Sequence, residues 1–138
     1  MVEIKKTSQT QYDLRYHFVW VPKRRRAVLK GDIAKRIEGM IKYACQIHNF
    51  EIFELVVKED HVHLYVGAKP KYSPSMIANL IKGGTSKKIR QMFPSLEENY
   101  WNSSFWQDGY FVRTVGLVDD TIIRKYINKQ RDNSARPF

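Results

Sequence analysis

At 138 residues and 43% hydrophobic side chains, the chain is long enough for one domain with a packed core and too apolar for a disordered one. Lysines and arginines number 24 against 14 acids, for a net charge of +10, which favours a polyanionic partner, nucleic acid before membrane. A single cysteine, Cys45, excludes an intrachain disulfide and fits a reducing cytoplasm, and neither a signal-like stretch nor a membrane-length apolar run is present.

The segment YDLRYHFVWV (12–21) is β-branched and aromatic, which predicts a strand. PKRRR (22–26) ends it with four consecutive cations. From Gly31 and Asp32, with Asp32 as N-cap, Ile33, Ile37, Met40, Ile41, Ala44 and Cys45 recur at helical spacing. FEIFELVV (50–57) and HVHLYVG (61–67) predict two more strands, paired antiparallel through a turn at Lys58-Glu59-Asp60. Ser73 as N-cap and Pro74 as first helical residue announce a second helix. Its apolar positions run from Met76 to Phe93, and KGGTSKK is expected to interrupt it, because each glycine costs a helix about 1 kcal/mol. FPSLEENYW is expected to be loop, YFVRTVG (110–116) a fourth strand, and TIIRKYINKQR (121–131) a last helix capped by Asp119 or Asp120, with a frayed DNSARPF tail.

The resulting order is βαββαβ plus one helix. It predicts an α+β, ferredoxin-like antiparallel sheet with helices on one face, in a single domain spanning 1–138. The other face is left open for a ligand or for the added helix.

Strand alternation places His61, His63 and Tyr65 on one face and Val62, Leu64 and Val66 on the other. The valine and leucine side is core. Two imidazoles on the opposite side either grip a cation together or are satisfied by hydrogen bonds. Zinc is poorly supported, since Cys45 is helical and His17 and His48 lack the spacing for a closed Cys/His site. Two histidines with an oxygen ligand suit Mg²⁺ or Mn²⁺ beside a substrate phosphate. On the last helix Tyr126 and Gln130 are four residues apart and share a face, next to the apolar stripe of Ile122, Ile123 and Ile127. If that helix covers the open sheet face, Gln130 offers an amide oxygen and Tyr126 a nucleophile near the two histidines.

With these segments in place the chain resembles the single-tyrosine HUH transposases of the smallest bacterial and archaeal insertion sequences. The likeness runs from about Tyr12 to Gln130. It rests on YHFVWVPKRRR, DHVHL, KGGTSKKIRQMFP, FWQDGYFVRTVG and IRKYINKQ in that order, with His61-Val62-His63 as the His-hydrophobe-His motif. One departure is Lys58-Glu59-Asp60, where the family usually has Met-Pro-Asp. The resemblance implies metal-dependent cleavage and rejoining of single-stranded DNA hairpin ends through a 5′-phosphotyrosine link. It implies Tyr126 as nucleophile, His61, His63 and Gln130 as ligands of Mg²⁺ or Mn²⁺, and Asp60 as the group that orients a histidine. It also implies a homodimer, often with the tyrosine helix of one subunit completing the other's site, working in the cytoplasm and at the nucleoid.

Conservation of the bond energy in a phosphoester removes any need for ATP, and the chain has no GxxxxGK[ST] loop. Arg24, Arg25, Arg26, Lys82, Lys87, Lys88 and Arg113 are the candidate DNA contacts, while Trp106, Tyr110 and Phe111 are assigned to core packing. Two alternatives stay open on the sequence. One is a non-catalytic module that binds single-stranded nucleic acid or RNA on a ferredoxin-like sheet. The other is an HUH nickase put to host use.

Overall fold

The structure is a computed structural model that describes residues 4–7, 9–96 and 104–132. An N-terminal hairpin pairs β1 (Lys5–Lys6) with β2 (Gln11–Tyr12). The main sheet holds β3 (Arg15–Trp20), β4 (Glu51–Val57), β5 (Val62–Gly67) and β6 (Phe111–Thr114), in the order β4-β5-β3-β6 with every pairing antiparallel. The helices are α1 (Gly31–Ile47), α2 (Pro74–Met92) and α3 (Asp120–Asp132). The expected ferredoxin-like α+β architecture with one added helix is therefore what the chain adopts. The tail at 133–138 and residues 97–103, which include the end of the expected loop, lie outside the described residues.

Alternation along the two central strands sorts the side chains. Tyr16, Phe18 and Trp20 of β3 and Val62, Leu64 and Val66 of β5 face the main core. There they meet Ile37, Ile41 and Cys45 of α1 and Ile77, Ala78, Ile81 and Ile89 of α2. The opposite face carries a smaller cluster, Val56, Tyr65 and Val115, closed by Ile123 and Ile127 of α3. A bulge in β4 at Ile52/Glu54 breaks the alternation. It leaves Phe53 packed on the α3 side, where the Glu54 carboxylate accepts a hydrogen bond from Asn128.

Three details correct the expectations. The first strand of the sheet starts at Arg15, and residues 11–12 belong to the hairpin, whose turn is closed by a hydrogen bond from Thr7 N to the Thr10 carbonyl. Asp32 lies inside the first turn of α1, whose N-cap is Lys30 with no side-chain bond. Here the helix begins on Gly31 at φ +53°, a conformation that glycine adopts without strain. Finally, KGGTSKK does not interrupt α2. The helix continues through Gly83 and Gly84 because the next turn is fixed from outside. Thr85 and Ser86 are buried, Thr85 Oγ1 accepts from the Trp106 indole at 2.8 Å, and Ser86 Oγ accepts from Phe105 N at 2.9 Å. Ser73 caps this helix as expected, accepting from Met76 N at 3.1 Å, with Pro74 following.

A Cβ added at Gly83 or Gly84 would have no heavy atom within 4 Å. Each glycine-to-alanine change should therefore stabilise the chain by about 1 kcal/mol, read as a higher denaturation midpoint in urea. An unchanged or lowered midpoint would mean that the helix is not continuous there.

Candidate active site

The register of the central strands decides what the α3 face contains. His17 lies opposite Tyr65 and Val19 opposite His63, so Arg15, His17, His63 and Tyr65 project to one side. All four are buried, and His61 joins them at the entry to β5. α3 lies across this polar face and is held by Ile123 and Ile127. The half-buried ring of Tyr126 approaches His63 and His17 edge-on, with centroids 5.7 and 6.0 Å away. The rings of His61 and His63 are 5.0 Å apart. Gln130 follows Tyr126 by one turn and is 2% exposed.

Hydrogen bonds select the tautomers. Asp60 Oδ1 lies 2.7 Å from His61 Nδ1, and His63 Nδ1 lies 3.0 Å from His17 Nε2. A carboxylate can only accept, so His61 carries its proton on Nδ1 and leaves Nε2 as a lone pair. If His63 likewise donates from Nδ1, His17 accepts and His63 Nε2 is also a lone pair. Asp60 is fixed in turn by Arg25 Nε at 3.1 Å. A pocket of about 290 Å³ lined by Arg25, Ala27, Lys58, Glu59, Asp60 and His61 opens on this side.

Among the described residues, the buried side-chain polar atoms without a hydrogen-bond partner are Trp20 Nε1, His61 Nε2, His63 Nε2 and Gln130 Oε1. Buried polar atoms are normally satisfied, so orphans concentrated on one face mark a place for a missing partner. Two imidazole nitrogens and one amide oxygen share one property: each can donate an electron pair to a cation. Among the described residues no cluster of three His, Cys, Asp or Glu side chains suited to a metal is found.

Burial pushes His17 down to about 4, helped by the Arg113 charge, and His63 down to about 3, helped by His17 and His61. Burial also lowers His61, against the opposing pull of Asp60. For Asp60, burial acts upward, but the His61 and Arg25 contacts outweigh it and hold the carboxyl below its ordinary range. The imidazoles are thus neutral at physiological pH, the form that ligates metals. Burial raises Tyr126, and the exposed Arg113 guanidinium opposes that shift.

The structure thus gathers His61, His63 and Tyr126 on one face, buries Gln130 one turn after Tyr126 on α3, and bonds Asp60 to His61. His17 is a residue that reasoning from spacing missed. Its signal was parity, because His17 alternates with the core residues Tyr16 and Phe18 and so must face the same side as His63. The candidate DNA contacts are dispersed. Arg24 and Arg25 sit in a left-handed turn at φ 59° and 53°. Lys87 and Lys88 are exposed on α2, with Lys88 5.0 Å from the Tyr43 ring. Lys82 has a structural task, its ammonium donating to the Gln107 and Gly109 carbonyls at 2.9 and 2.7 Å. Trp106 is core and Tyr110 packs against that core, as expected, whereas Phe111 lies on the α3 face with its ring centroid 6.1 Å from that of His17.

Comparison with known proteins places this geometry. Residues 10–130 match the model of the family described as "Transposase IS200 like". The chain belongs to the IS200-like transposase family. It is 30% identical to the ISDra2 transposase TnpA of Deinococcus radiodurans over 131 residues, covering 95% of this chain and 94% of that one. It is 32% identical over 130 residues to the transposase for insertion sequence element IS200 of Salmonella typhimurium, covering 94% and 85%. Among solved structures, a D. radiodurans chain assigned as a transposase superposes with a TM-score of 0.75 at 29% identity, over 94% of this chain and 99% of the other. A REP-associated tyrosine transposase bound to a REP hairpin shares the fold, with a TM-score of 0.57 at 16% identity over 89% and 69%. No described helix of this IS200-like transposase is long and apolar enough to cross a membrane.

The buried histidines give a pH signature. Their folded pKa values lie below the unfolded value near 6.5, so unfolding takes up protons between about pH 6.5 and pH 4. The stability present above pH 6.5 is therefore lost progressively as pH falls through that window. Urea midpoints should drop between pH 7 and pH 5, while ¹⁵N NMR at pH 5 shows His17 and His63 still neutral. A protonated His63 in the folded chain at pH 5 would contradict this geometry.

Proposed function

We propose that this transposase cleaves and rejoins single-stranded DNA at the ends of its element, with Tyr126 as the nucleophile. The observation that carries the reading is the set of orphaned electron-pair donors, His61 Nε2, His63 Nε2 and Gln130 Oε1, beside the ring of a tyrosine. These three atoms would hold one divalent cation, and the mix of imidazole and amide donors suits Mn²⁺ or Mg²⁺ with the remaining positions open to water and phosphate. Bound there, the cation would polarise the scissile phosphate and offset the charge that develops on it.

The chain's own groups do the rest. Asp60 and His17 hold the two imidazoles in the tautomers and rotations that aim Nε2 inward. α3 carries the Tyr126 hydroxyl to the phosphate from the other side. After the phenol gives its proton to solvent, its oxygen forms a bond to phosphorus as the bond to the departing 3′ oxygen breaks, and that oxygen takes up a proton from solvent, leaving a 5′-phosphotyrosine and a free 3′-OH. Attack by a 3′-OH on that ester reverses the step and releases the tyrosine, so the phosphoester is conserved without ATP. Burial raises Tyr126 above its ordinary value, and the Arg113 charge works against that shift, toward the phenolate that attacks.

The partner proposed is a hairpin end of single-stranded DNA. The net charge supports it, and the shared fold with a transposase bound to a REP hairpin supports it as well. A homodimer suits the task, since two DNA ends must be exchanged and each chain supplies one α3 tyrosine. In the single chain Tyr126 lies over its own His63.

Incubation with single-stranded end sequences and Mn²⁺ or Mg²⁺ should give a covalent adduct on a denaturing gel. Tyr126→Phe should abolish the adduct and leave hairpin affinity within about twofold, because one hydroxyl contributes little to a contact made mostly of phosphates. Normal cleavage by that variant would refute the assignment. Asp60→Ala should weaken Mn²⁺ binding by roughly 10- to 100-fold in isothermal titration, the usual cost of losing a group that orients a metal-bound histidine. Unaltered Mn²⁺ affinity in this variant would count against His61 as a ligand.

A further inference from the structure

Two side chains that the proposed chemistry does not use are buried on the face shared with the histidines. Arg15 is 5% exposed and Tyr65 is fully buried. Arg15 Nε donates to Asp13 at 2.8 Å, and its Nη1 donates to Asp120 Oδ1 at 3.1 Å and to the Tyr65 hydroxyl at 3.4 Å. Tyr65 donates its own hydroxyl hydrogen to Asp120 Oδ1. Arg124, one turn along α3, donates Nε to both oxygens of the same carboxylate at 3.2 and 3.1 Å. The floor of the cluster is Phe53, whose ring lies 3.9 Å from the Arg15 guanidinium carbon and 5.3 Å from that of Arg124. The bulge in β4 is what turns Phe53 to this side.

Such a cluster is a poor way to gain stability, because desolvating a guanidinium and a carboxylate offsets most of their attraction. What it adds is direction. Ile123 and Ile127 attach α3 to the sheet by apolar contact, which does not fix rotation about the helix axis. Asp120 and Arg124 are four apart and flank one edge of that seam, and Tyr126 and Gln130, also four apart, flank the other. The helix is therefore pinned on the side away from the reacting groups.

We propose that Arg15, Tyr65 and Asp120 form a positioning clamp on the first turn of α3, setting the rotation and register of the helix so that Tyr126 and Gln130 face His61 and His63. A roll of about 20° about the axis would shift side-chain atoms some 6 Å out by about 2 Å, enough to spoil an in-line attack. Tyr65 itself is no competing nucleophile. Burial and its bond to Asp120 push its hydroxyl up to about 12, and that hydroxyl is already engaged.

The clamp rests on the assignment of Tyr126 above, and its test separates the two. Tyr65→Phe deletes one hydroxyl from the cluster, and Asp120→Asn keeps its shape while removing the charge. In Tyr65→Phe, adduct formation at saturating hairpin DNA should be roughly tenfold slower, and in Asp120→Asn up to roughly 100-fold slower, the scale of a misplacement near 1 Å. Hairpin affinity should stay within twofold, so the loss appears in the rate and not in binding. Hydrogen exchange should accelerate across α3 while β3 and β5 keep wild-type protection. Arg15→Lys, which keeps the charge but not the fork, should slow adduct formation as well.

Wild-type rate and wild-type α3 exchange in a folded Tyr65→Phe chain would overturn the clamp, as would a rate loss that merely tracks the unfolded fraction. If Asp120→Asn does not fold, Tyr65→Phe decides alone. If the wild-type chain forms no adduct, the assignment of Tyr126 fails, while the exchange comparison still tests the clamp.

Discussion

β3 and β5 pair with Val19 opposite His63 and His17 opposite Tyr65, and nearly every feature of the α3 face follows from that register. Side chains in a strand alternate, so sliding either strand by one residue would send the imidazoles into the main core and bring Phe18 and Leu64 out against α3. The aromatic and aliphatic residues of the core face forbid that slip. Main-core packing therefore fixes the polar constellation on the other side of the sheet. The site is positioned by the residues it excludes.

The order of the elements along the chain and the parity of the His-Val-His strand were legible in the sequence because both follow from short-range periodicity. So were the Ser73-Pro74 helix start and the pairing of Tyr126 with Gln130 on one helical face. What could not be read depended on partners far along the chain. The glycine pair suggests a break when α2 is considered alone, yet Thr85 and Ser86 are tied to residues 105–106, and that tie holds the next turn in place. Asp32 looks like a cap until the backbone chooses Lys30. His17 lacks any spacing relation to His63, because their 3.0 Å contact is made across two strands. Asp120 offers the same lesson in reverse: its position suggests a helix cap, but its carboxylate is engaged by Arg15, Tyr65 and Arg124.

The two faces of the sheet follow different physics. One is closed by aliphatic packing, which tolerates volume-conserving change. The other buries a guanidinium, three imidazoles, a phenol and an amide, groups that must each find a partner or remain unsatisfied. The polar groups near Asp120 find partners within the chain. Those near His61 and His63 do so on one ring nitrogen and are left open on the other. Because this arrangement sets satisfied and unsatisfied polar groups a few residues apart, the same helix is anchored at its start and available for chemistry further along.

The basic turn after β3 shows how charge and backbone can be opposed. Arg24 and Arg25 both sit at positive φ, where a side chain other than glycine costs roughly 1–2 kcal/mol each. Gln107 Oε1 accepts from Arg24 N, and the Pro22 carbonyl accepts from Arg25 N, so the conformation is imposed by its surroundings. Glycine at either position would relieve that backbone cost, but at position 25 it would also remove the guanidinium that fixes Asp60. The turn therefore accepts backbone strain and in exchange carries a guanidinium to the carboxylate that bonds His61.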